Sequence, residues 1–281
     1  TSEEFAGIVK EQLPFLSEEQ ILQEPQRKNT APCIAYAAYR ISAIDPDARM
    51  VVAPSDHLIT HEEEFKRVVL QGLEFAAGKD SLITLGIKPS RPDTGYGYIQ
   101  FVDDVNHQST GLFKVKTFTE KPDLAMAEFF LKSGEFLWNS GIFLWNVSSI
   151  RSAFAKHLPE MDNLFGEASA HFGKADEYDA IKTAYEQCTN ISIDFGVMEK
   201  ADNLAVVPFG GNWSDLGGWG AVWRESAPDA DGVVATGGAV AIDCENSLLR
   251  SDSERVELVG IGLKNILAIA MNDAVLVADM S

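Results

Sequence analysis

Two carboxylates in the sequence have the setting of ligands for a hard cation. Asp56 directly follows an apolar run in VVAPSDHLIT, and Asp215 lies between tryptophans and glycines in GNWSDLGGW. Ligands of open α/β sheets bind beyond the carboxyl ends of the strands, and Mg²⁺ prefers oxygen ligands. Local roles compete with this interpretation: Asp56 could cap a loop N–H, and a helix cap near Leu216 is the first explanation for Asp215. His57 is a weaker candidate, since a lone His beside an Asp is more often a hydrogen-bonded loop residue than a base.

Two other stretches carry groups suited to a phosphorylated sugar. In EPQRKNTAP, Arg27 and Lys28 stand just before a predicted helix start, where free backbone N–H groups attract anions. In FTEKPD, the Glu120 carboxylate can accept hydrogen bonds from sugar hydroxyls, and the Lys121 ammonium can bind phosphate. The competing interpretations are a solvated turn with a helix cap and a surface ion pair.

Small and polar residues mark two more stretches. In RPDTGYGYIQ, Gly95 and Gly97 permit a close approach of the backbone to a ligand, although turns use glycine far more often. Asn139 and Ser140 interrupt the apolar FLWNSGIFLWN, so we expect them to be buried and hydrogen-bonded. The sequence contains no GxxxxGK[ST] phosphate-binding loop and no dinucleotide fingerprint.

Composition limits the partners. The 281 residues include 23 basic and 42 acidic side chains, a net charge of −19, which argues against binding to nucleic acid or to an anionic membrane. Three scattered cysteines indicate neither a disulfide framework nor a zinc site, and a reducing cytoplasm fits them best. No apolar run approaches the roughly 20 residues of a membrane span, and the first residues do not resemble a signal peptide. A phosphate ligand would have to be met by a few local cations or a metal.

The elements that must position these residues follow an α/β pattern. RMVVAP and SLITLGI are predicted strands separated by the predicted helix HEEEFKRVVLQGLEFAAG, which indicates a mostly parallel sheet. GYGYIQFVDD and GLFKVKTFTEKP are predicted antiparallel strands, and GIFLWN is a further strand. From about residue 229 short β segments with Gly and Asn turns dominate. We therefore predict a core domain over residues 1–228 and a C-terminal β unit over residues 229–281.

Seven stretches, taken in order, resemble the mannose-1-phosphate guanylyltransferases, also called GDP-mannose pyrophosphorylases. They are EPQRKNTAP, PSDH, TGYGYI, EKPD, LWNSGIFLW, SIDFGVMEK and WSDLGGW. The resemblance implies an α/β fold: a Rossmann-like nucleotidyltransferase core with a mixed, mostly parallel sheet, followed by a short β-helix-like unit. It implies that mannose 1-phosphate attacks the α-phosphorus of GTP, releasing pyrophosphate and forming GDP-mannose. It also implies Mg²⁺ as cofactor and is compatible with a homodimer.

The same resemblance implies roles for individual residues. Asp56 and Asp215 match the magnesium-binding carboxylates, and with Lys121 they form the implied catalytic set. Glu120 and Lys121 match the positions that hold the sugar and its phosphate. Gly97 and Asn139 are expected to line the same pocket.

On the nucleotide side, Glu24 is implied to read the base, with Arg27, Asn29 and Thr30 in the same substrate-binding motif. A carboxylate can accept two parallel hydrogen bonds from N1 and N2 of guanine, a pair that other bases do not offer in the same way. Lys28 departs from the family pattern by separating the usual Arg-Asn pair, which leaves the role of Arg27 open.

A larger departure concerns the phosphate-binding segment. The family carries a Gly-rich stretch of the type GGxGxRLWPLSR ahead of the matching motifs, and these 281 residues contain none. Two alternative functions therefore stay open: another sugar 1-phosphate nucleotidyltransferase, such as a glucose-1-phosphate thymidylyltransferase, and a catalytically silent homologue that binds sugar nucleotides. The Glu24 carboxylate, in place of an amide, argues against the first, and the two metal carboxylates argue against the second.

Overall fold

A computed structural model describes residues 1–102 and 110–280. The chain divides into two compact units: the first comprises Thr1–Pro54 and His61–Gly211, and the second comprises Ser55–Thr60 and Asn212–Ser281. This division lies earlier than the boundary predicted between residues 228 and 229, and the packing of the second unit explains the difference.

The first unit is built on one six-stranded sheet. Its strands are β1 (Arg49–Val52), β3 (Leu82–Ile87), β4 (Tyr98–Val102), β5 (Phe113–Thr119), β6 (Phe136–Asn146) and β7 (Leu204–Phe209). The order is β1-β6-β3-β7-β5-β4, with a further pairing of β4 to β6. Of the predicted strand GYGYIQFVDD, residues 103 and 104 lie outside the described range.

The sheet is mixed, as predicted, but the expectation of mostly parallel pairing is wrong. Among the described strands of this sheet, only β3 and β7 pair in parallel. The long strand β6 runs antiparallel to β1, β3 and β4, and β5 runs antiparallel to β4 and β7. The predicted antiparallel pairing of the two stretches that form β4 and β5 is confirmed.

Close packing in the centre of this sheet requires a glycine. All six residues of β3 are buried, and Gly86 lies opposite Asn139 of β6. A Cβ atom at Gly86 would lie 2.7 Å from Val206 Cγ2, well inside van der Waals contact. Strands β3, β6 and β7 therefore pack closely at the level of Asn139.

Helices cover the sheet of the first unit. They are α1 (Ala6–Gln12), α2 (Thr30–Ser42), α3 (Glu62–Ala76), α4 (Leu124–Ser133), α5 (Val147–His157), α6 (Pro159–Ser169) and α7 (Glu177–Gln187). Apolar residues of α2, α5, α6 and α7 form the core with the strands, and Trp145, Phe154, Phe165 and Tyr185 are fully buried there. A single π-helical turn, Asp194–Met198, precedes β7.

The second unit is a coil of short strands. Strands β9 (Val233–Gly237), β11 (Ser247–Ser251) and β13 (Ile266–Ala270) stack in parallel, as do β10 (Ala239–Ile242) and β12 (Leu258–Ile261). Strand β14 (Val275–Asp279) closes the stack antiparallel to β13. Successive turns repeat the same backbone conformation, with Asn246 and Asn265 at φ 44° and 57° and their side chains hydrogen-bonded at 2.6 Å. This arrangement confirms the predicted β-helix-like unit.

Residues before the predicted boundary belong to this coil. Helix α8 (Trp219–Glu225) packs Trp219, Val222 and Trp223 against the apolar interior of the coil. The two-residue strands β2 (Leu58–Ile59) and β8 (Trp213–Ser214) pair with each other and join the same unit. No helix among the described residues is long and apolar enough to cross a membrane.

Candidate functional site

The structure brings Gly97, Glu120 and Asn139 together in the first unit. Gly97 precedes β4 and Glu120 follows β5, and these strands pair Tyr98 with Thr119. The Asn139 N–H donates to the Gly97 carbonyl at 2.8 Å. A Cβ atom at Gly97 would overlap Glu120 Oε2 and lie 3.3 Å from Asn139 Cβ. The missing side chain at Gly97 therefore leaves room for the Glu120 carboxylate.

The Asn139 carboxamide is held from both ends. Its Nδ2 donates to Asp194 Oδ1 at 2.9 Å, and its Oδ1 accepts from Thr84 Oγ1 at 3.1 Å and from the Gly141 N–H at 3.2 Å. The Gly141 N–H can only donate, so it fixes which end of the amide is oxygen. We call Gly97, Glu120, Asn139 and Asp194 the polar recess.

Glu120 is the electrostatically unusual member of the polar recess. Its Oε2 atom is buried and has no hydrogen-bond partner among the described residues. Burial, followed by the negative charge of Asp194, raises the pKa of Glu120 to about 7. A carboxylate without a partner in a half-buried position is suited to accept hydrogen bonds from a polyhydroxylated ligand.

Lys121 directly follows Glu120 of the polar recess in the chain. Its side chain is exposed and its φ of 45° is uncommon for a residue with a Cβ. The following residue is Pro122, whose ring restricts the backbone at Lys121. The positive charge of Lys121 lowers the pKa of both Glu120 and Asp194, opposing the effect of burial on each. The structure therefore places Lys121 close to the polar recess.

Asp194 is the residue that sequence reasoning missed. It begins the π-helical turn, and burial raises its pKa. In the sequence it stands within SIDFGVMEK, one of the seven resembling stretches, without a role of its own. A signal was available, because Asp194 is an acid between Ile193 and Phe195 in an otherwise apolar run. Such π-helical turns occur frequently at functional sites.

Glu24 faces the interior of the first unit. The Tyr185 hydroxyl donates to Glu24 Oε1 at 3.0 Å. Burial raises the pKa of the Cys33 thiol to about 11, and the charge of Glu24 adds to that shift. The pKa of Tyr185 is also raised, by burial and then by Glu24. One carboxylate oxygen is thus anchored by a neutral phenol, which fixes the orientation of the group.

The two cationic side chains of EPQRKNTAP, Arg27 and Lys28, bond to other groups of this chain. Arg27 donates to Glu4 at 2.8 Å and lies over the Phe5 ring at 4.9 Å, with both charged side chains mostly exposed. Lys28 Nζ donates to the carbonyls of Glu186 and Cys188 at 3.1 and 3.0 Å. Lys28, the departure from the family pattern, thus caps the last carbonyls of α7. A contact between Arg27 and a nucleotide stays a prediction.

Asn29 and Thr30 start α2. Asn29 is its N-cap, with φ 70°, and its side chain accepts from the Thr30 N–H at 2.9 Å. The Thr30 hydroxyl accepts from the Ile193 N–H at 2.8 Å, and the Ala31 N–H donates to the Ile191 carbonyl at 3.1 Å. These bonds tie the start of α2 to the segment that leads into Asp194.

We expect Thr30→Ala to destabilise the chain by about 1–2 kcal/mol, because the Ile193 N–H would lose its acceptor in a partly buried position. Thr30→Ser is the matched control, since it keeps the hydroxyl. Urea unfolding followed by circular dichroism measures the difference. Equal midpoints for Thr30→Ala and the parent chain would contradict this structural role.

Asp56 and Asp215 lie at the same end of one short ladder in the second unit. Strands β2 and β8 pair Leu58 with Ser214, and Asp56 and Asp215 both lie just beyond that pair in the chain. The charges of both carboxylates act on His57, although burial has the larger effect and lowers its pKa. The structure therefore places both predicted metal ligands close enough to act on His57, and a metal shared by the two carboxylates stays a prediction.

His57 and the turn after β8 hold this arrangement. The Trp213 indole N–H donates to His57 Nδ1 at 3.2 Å, so the neutral ring accepts at Nδ1. Asp215 Oδ1 accepts from the Gly217 N–H at 3.1 Å in a local turn. Helix α8 begins at Trp219 with Gly218 as its cap, so the alternative of Asp215 as a helix cap is wrong.

Two carboxylates just beyond the same end of a short ladder are compatible with Mg²⁺. This ion is commonly held by one or two carboxylates while keeping waters or substrate phosphates as its other ligands. Within residues 1–102 and 110–280 no group of three or more His, Cys, Asp or Glu side chains could hold a metal ion. A metal at Asp56 and Asp215 would therefore depend on ligands from outside the protein, as expected for an ion that accompanies a phosphorylated substrate.

Comparison with known proteins agrees with the geometry. Residues 1–232 match the family model described as nucleotidyl transferase. A mannose-1-phosphate guanylyltransferase of Escherichia coli K12 is 36% identical over 290 residues, covering 99% of this chain and 59% of that protein. One of Sinorhizobium fredii is 38% identical, covering 99% of this chain and 54% of that protein. The chain thus spans little more than half the length of the curated relatives it matches.

A solved structure has a fold similar to that of this chain. A Thermus thermophilus protein described as a mannose-1-phosphate geranyltransferase superposes with a TM-score of 0.87 and 26% identity, covering 100% of this chain and 78% of that one. The fold predicted from the sequence is confirmed by this match, apart from the direction of the strands. The resemblance drawn from the seven motifs is also confirmed, because curated relatives carry that name.

Proposed function

The chain belongs to the nucleotidyl transferase family, and from that premise we propose that it transfers GMP from GTP to mannose 1-phosphate. The observation that carries the proposal is Glu120 Oε2, which is buried without a hydrogen-bond partner in the described part of the chain and fills the space left by Gly97. A buried acceptor of this kind is stabilised by a ligand that brings hydroxyl donors. Relatives at 36 and 38% identity bear the name of this activity.

In the proposed reaction a phosphate oxygen of mannose 1-phosphate attacks the α-phosphorus of GTP. The new bond joins that oxygen to phosphorus, the bond to the β-phosphate oxygen breaks, and pyrophosphate leaves. Glu120, Gly97 and Asn139 orient the sugar, and Lys121 stabilises the negative charge of its phosphate. Asp56 and Asp215 would hold Mg²⁺, which when bound neutralises phosphate charge. In a chain of net charge −19, that neutralisation is needed before two anionic substrates can meet.

Reconstitution is the direct test of this function. The purified chain with GTP, mannose 1-phosphate and Mg²⁺ should release pyrophosphate and form GDP-mannose, both detected by chromatography. Product from thymidine triphosphate and glucose 1-phosphate instead would support the alternative transferase. Binding of GDP-mannose without turnover would support the silent homologue, and neither binding nor turnover would contradict the whole proposal.

Glu24→Gln should weaken the use of GTP and relax the choice of base. The amide keeps one acceptor but replaces the other with a donor, which would face the N1 or N2 donor of guanine. Leaving buried polar groups unpaired costs about 1–3 kcal/mol, so we expect a loss of about 10- to 100-fold in kcat/KM for GTP. Pyrophosphate release with GTP, ATP and inosine triphosphate measures this change.

Two controls sharpen the Glu24 experiment. Tyr185→Phe removes the phenol that anchors Glu24 and should give a smaller loss with GTP. Glu19→Gln changes an exposed carboxylate of the same unit and should leave base selectivity intact. If Glu24→Gln and Glu19→Gln show the same selectivity, the base-reading role is wrong.

A cytoplasmic location is part of the proposal. Cys33, Cys188 and Cys244 are all free in the structure, which is the usual state in a reducing compartment. A homodimer is the proposed assembly, and sedimentation equilibrium of the purified chain tests it.

A further inference from the structure

We propose that Asp194 is a positioning residue of the polar recess, which fixes the Asn139 carboxamide so that it offers the bound sugar phosphate a hydrogen-bond donor. This inference rests on the proposed function and assigns a task to a residue that has none in it. Three features of the structure support it: the partners of Asn139, the anchoring of Asp194, and the charges around Glu120.

The first feature is the set of bonds that Asn139 makes. The Gly141 N–H donates to Asn139 Oδ1, and Thr84 Oγ1 lies 3.1 Å from the same oxygen, with the Ile142 carbonyl at 3.3 Å as a second acceptor for its one hydroxyl hydrogen. Asp194 takes one of the two N–H groups of Nδ2. One N–H of Nδ2 remains, while Oδ1 is oriented towards Gly141 and Thr84, so Asn139 is set to serve a ligand oxygen as a donor. Glu120, when ionised, can only accept, and the two side chains are therefore complementary.

The second feature is the way in which Asp194 is held. It begins the π-helical turn Asp194–Met198, and the residues just before it are bonded to α2. The Thr30 hydroxyl accepts from the Ile193 N–H, and the Ala31 N–H donates to the Ile191 carbonyl. Because two bonds fix the approach to Asp194, its carboxylate is a rigid anchor for Asn139 and not a mobile surface acid.

The third feature is electrostatic. The charged groups that act on Glu120 are Asp194 and Glu199, which raise its pKa, and Lys121, which lowers it. The groups that act on Asp194 are Glu199 and Lys121, together with the hydrogen bond from Asn139. Asp194 therefore influences Glu120 in a way that a merely space-filling residue would not. Removing its charge should lower the pKa of Glu120.

Two substitutions separate geometry from charge. Asp194→Asn is nearly isosteric and keeps an oxygen that can accept from Asn139, but it removes the charge. Asp194→Ala removes both the charge and the acceptor. Asp202→Asn is the matched control, since Asp202 is an exposed acid of the same unit that forms a surface ion pair with Lys156.

Calorimetric titration with mannose 1-phosphate and ¹³C NMR titration of the glutamate carboxyl groups supply independent readouts. We expect Asp194→Ala to weaken the binding of mannose 1-phosphate about tenfold while leaving the affinity for GTP unchanged. Asp194→Asn should shift the Glu120 titration to lower pH. Binding that needs ionised Glu120 rises as pH increases through its pKa, so this limb of the binding profile should move to lower pH as well. Asp202→Asn should change neither measurement.

The outcomes distinguish this inference from the proposed function. Unchanged mannose 1-phosphate affinity in Asp194→Ala, together with an unshifted Glu120 titration in Asp194→Asn, overturns the role of Asp194 and leaves the proposed function standing. If the parent chain binds glucose 1-phosphate and not mannose 1-phosphate, the proposed substrate is wrong. A loss of that glucose 1-phosphate affinity in Asp194→Ala would still support the positioning role.

Discussion

Asp215→Asn is expected to lower Mg²⁺-dependent pyrophosphate release by about 10³-fold or more. An active-site metal supplies several kcal/mol of charge stabilisation, and each 1.4 kcal/mol corresponds to a factor of about ten in rate. The substitution keeps the size of the side chain and the acceptor for the Gly217 N–H, so the turn after β8 should persist. What changes is the charge available to a divalent cation.

Asp56→Asn should behave in the same way, because the β2–β8 register places both carboxylates at one end of the ladder. Asp243→Asn is the control: Asp243 is an exposed acid of the same unit with φ 52°, a conformation that Asn also adopts readily. Binding of Mn²⁺, followed by electron paramagnetic resonance, gives a readout that does not require turnover. If all three variants bind Mn²⁺ as the parent chain does, Asp56 and Asp215 are not metal ligands.

The residues of the polar recess illustrate what the sequence could predict. Gly97 and Glu120 lie at adjoining ends of β4 and β5, and their meeting follows from the antiparallel pairing predicted for these strands. Asn139 lies within β6 and meets Gly97 through the pairing of β6 with β4, which was not predicted. The polar residues could be predicted as site residues because each of them interrupts or ends an apolar stretch. Local pattern therefore identified the residues, and strand pairing explains why they meet.

The same local pattern does not carry strand direction. Buried strands of either direction read as apolar runs, so the alternation of strands and helices suggested a parallel sheet. The long strand β6 pairs antiparallel with three neighbours, and its residues Asn139 and Ser140 bond to Thr84 and Leu85 of β3. Strand direction thus depends on which distant segments pair with each other, and a local sequence pattern does not contain that information.

Asp194 illustrates a second limit of prediction from the sequence. Its function, as inferred, depends on a π-helical turn and on bonds from Thr30 and Ala31, which lie more than 160 residues away. A sequence window around SIDFGVMEK contains neither partner. The Thr30 hydroxyl accepts from the Ile193 N–H, and a contact between Thr30 and substrate stays a prediction. Residues that position others are therefore harder to recognise than residues that meet a ligand directly.

Gly97→Ala should abolish most binding of the sugar phosphate while leaving the fold intact. The added methyl group would occupy the position of Glu120 Oε2, and Asn139 Cβ, at 3.3 Å, limits movement on the other side. The Glu120 side chain is flexible enough to swing away, so the cost falls on the site and not on the core. Losing one or two hydrogen bonds to a charged group at about 1.5–3 kcal/mol each predicts at least about tenfold weaker binding of mannose 1-phosphate.

Two other glycines of the first unit, Gly95 and Gly210, supply matched controls for this substitution. A Cβ atom at Gly210 would meet nothing within 4 Å, and one at Gly95 would meet only the tip of Asp93, at 3.2 Å. Gly210→Ala and Gly95→Ala should therefore bind mannose 1-phosphate as the parent chain does, and all three variants should unfold at similar urea concentrations. Equal binding by Gly97→Ala and Gly210→Ala would show that the Glu120 carboxylate need not occupy its position beside Gly97. A loss confined to Gly97→Ala, with stability unchanged, would mean that the space beside this glycine is kept for the ligand's acceptor, because the backbone conformation at Gly97 does not itself require a glycine.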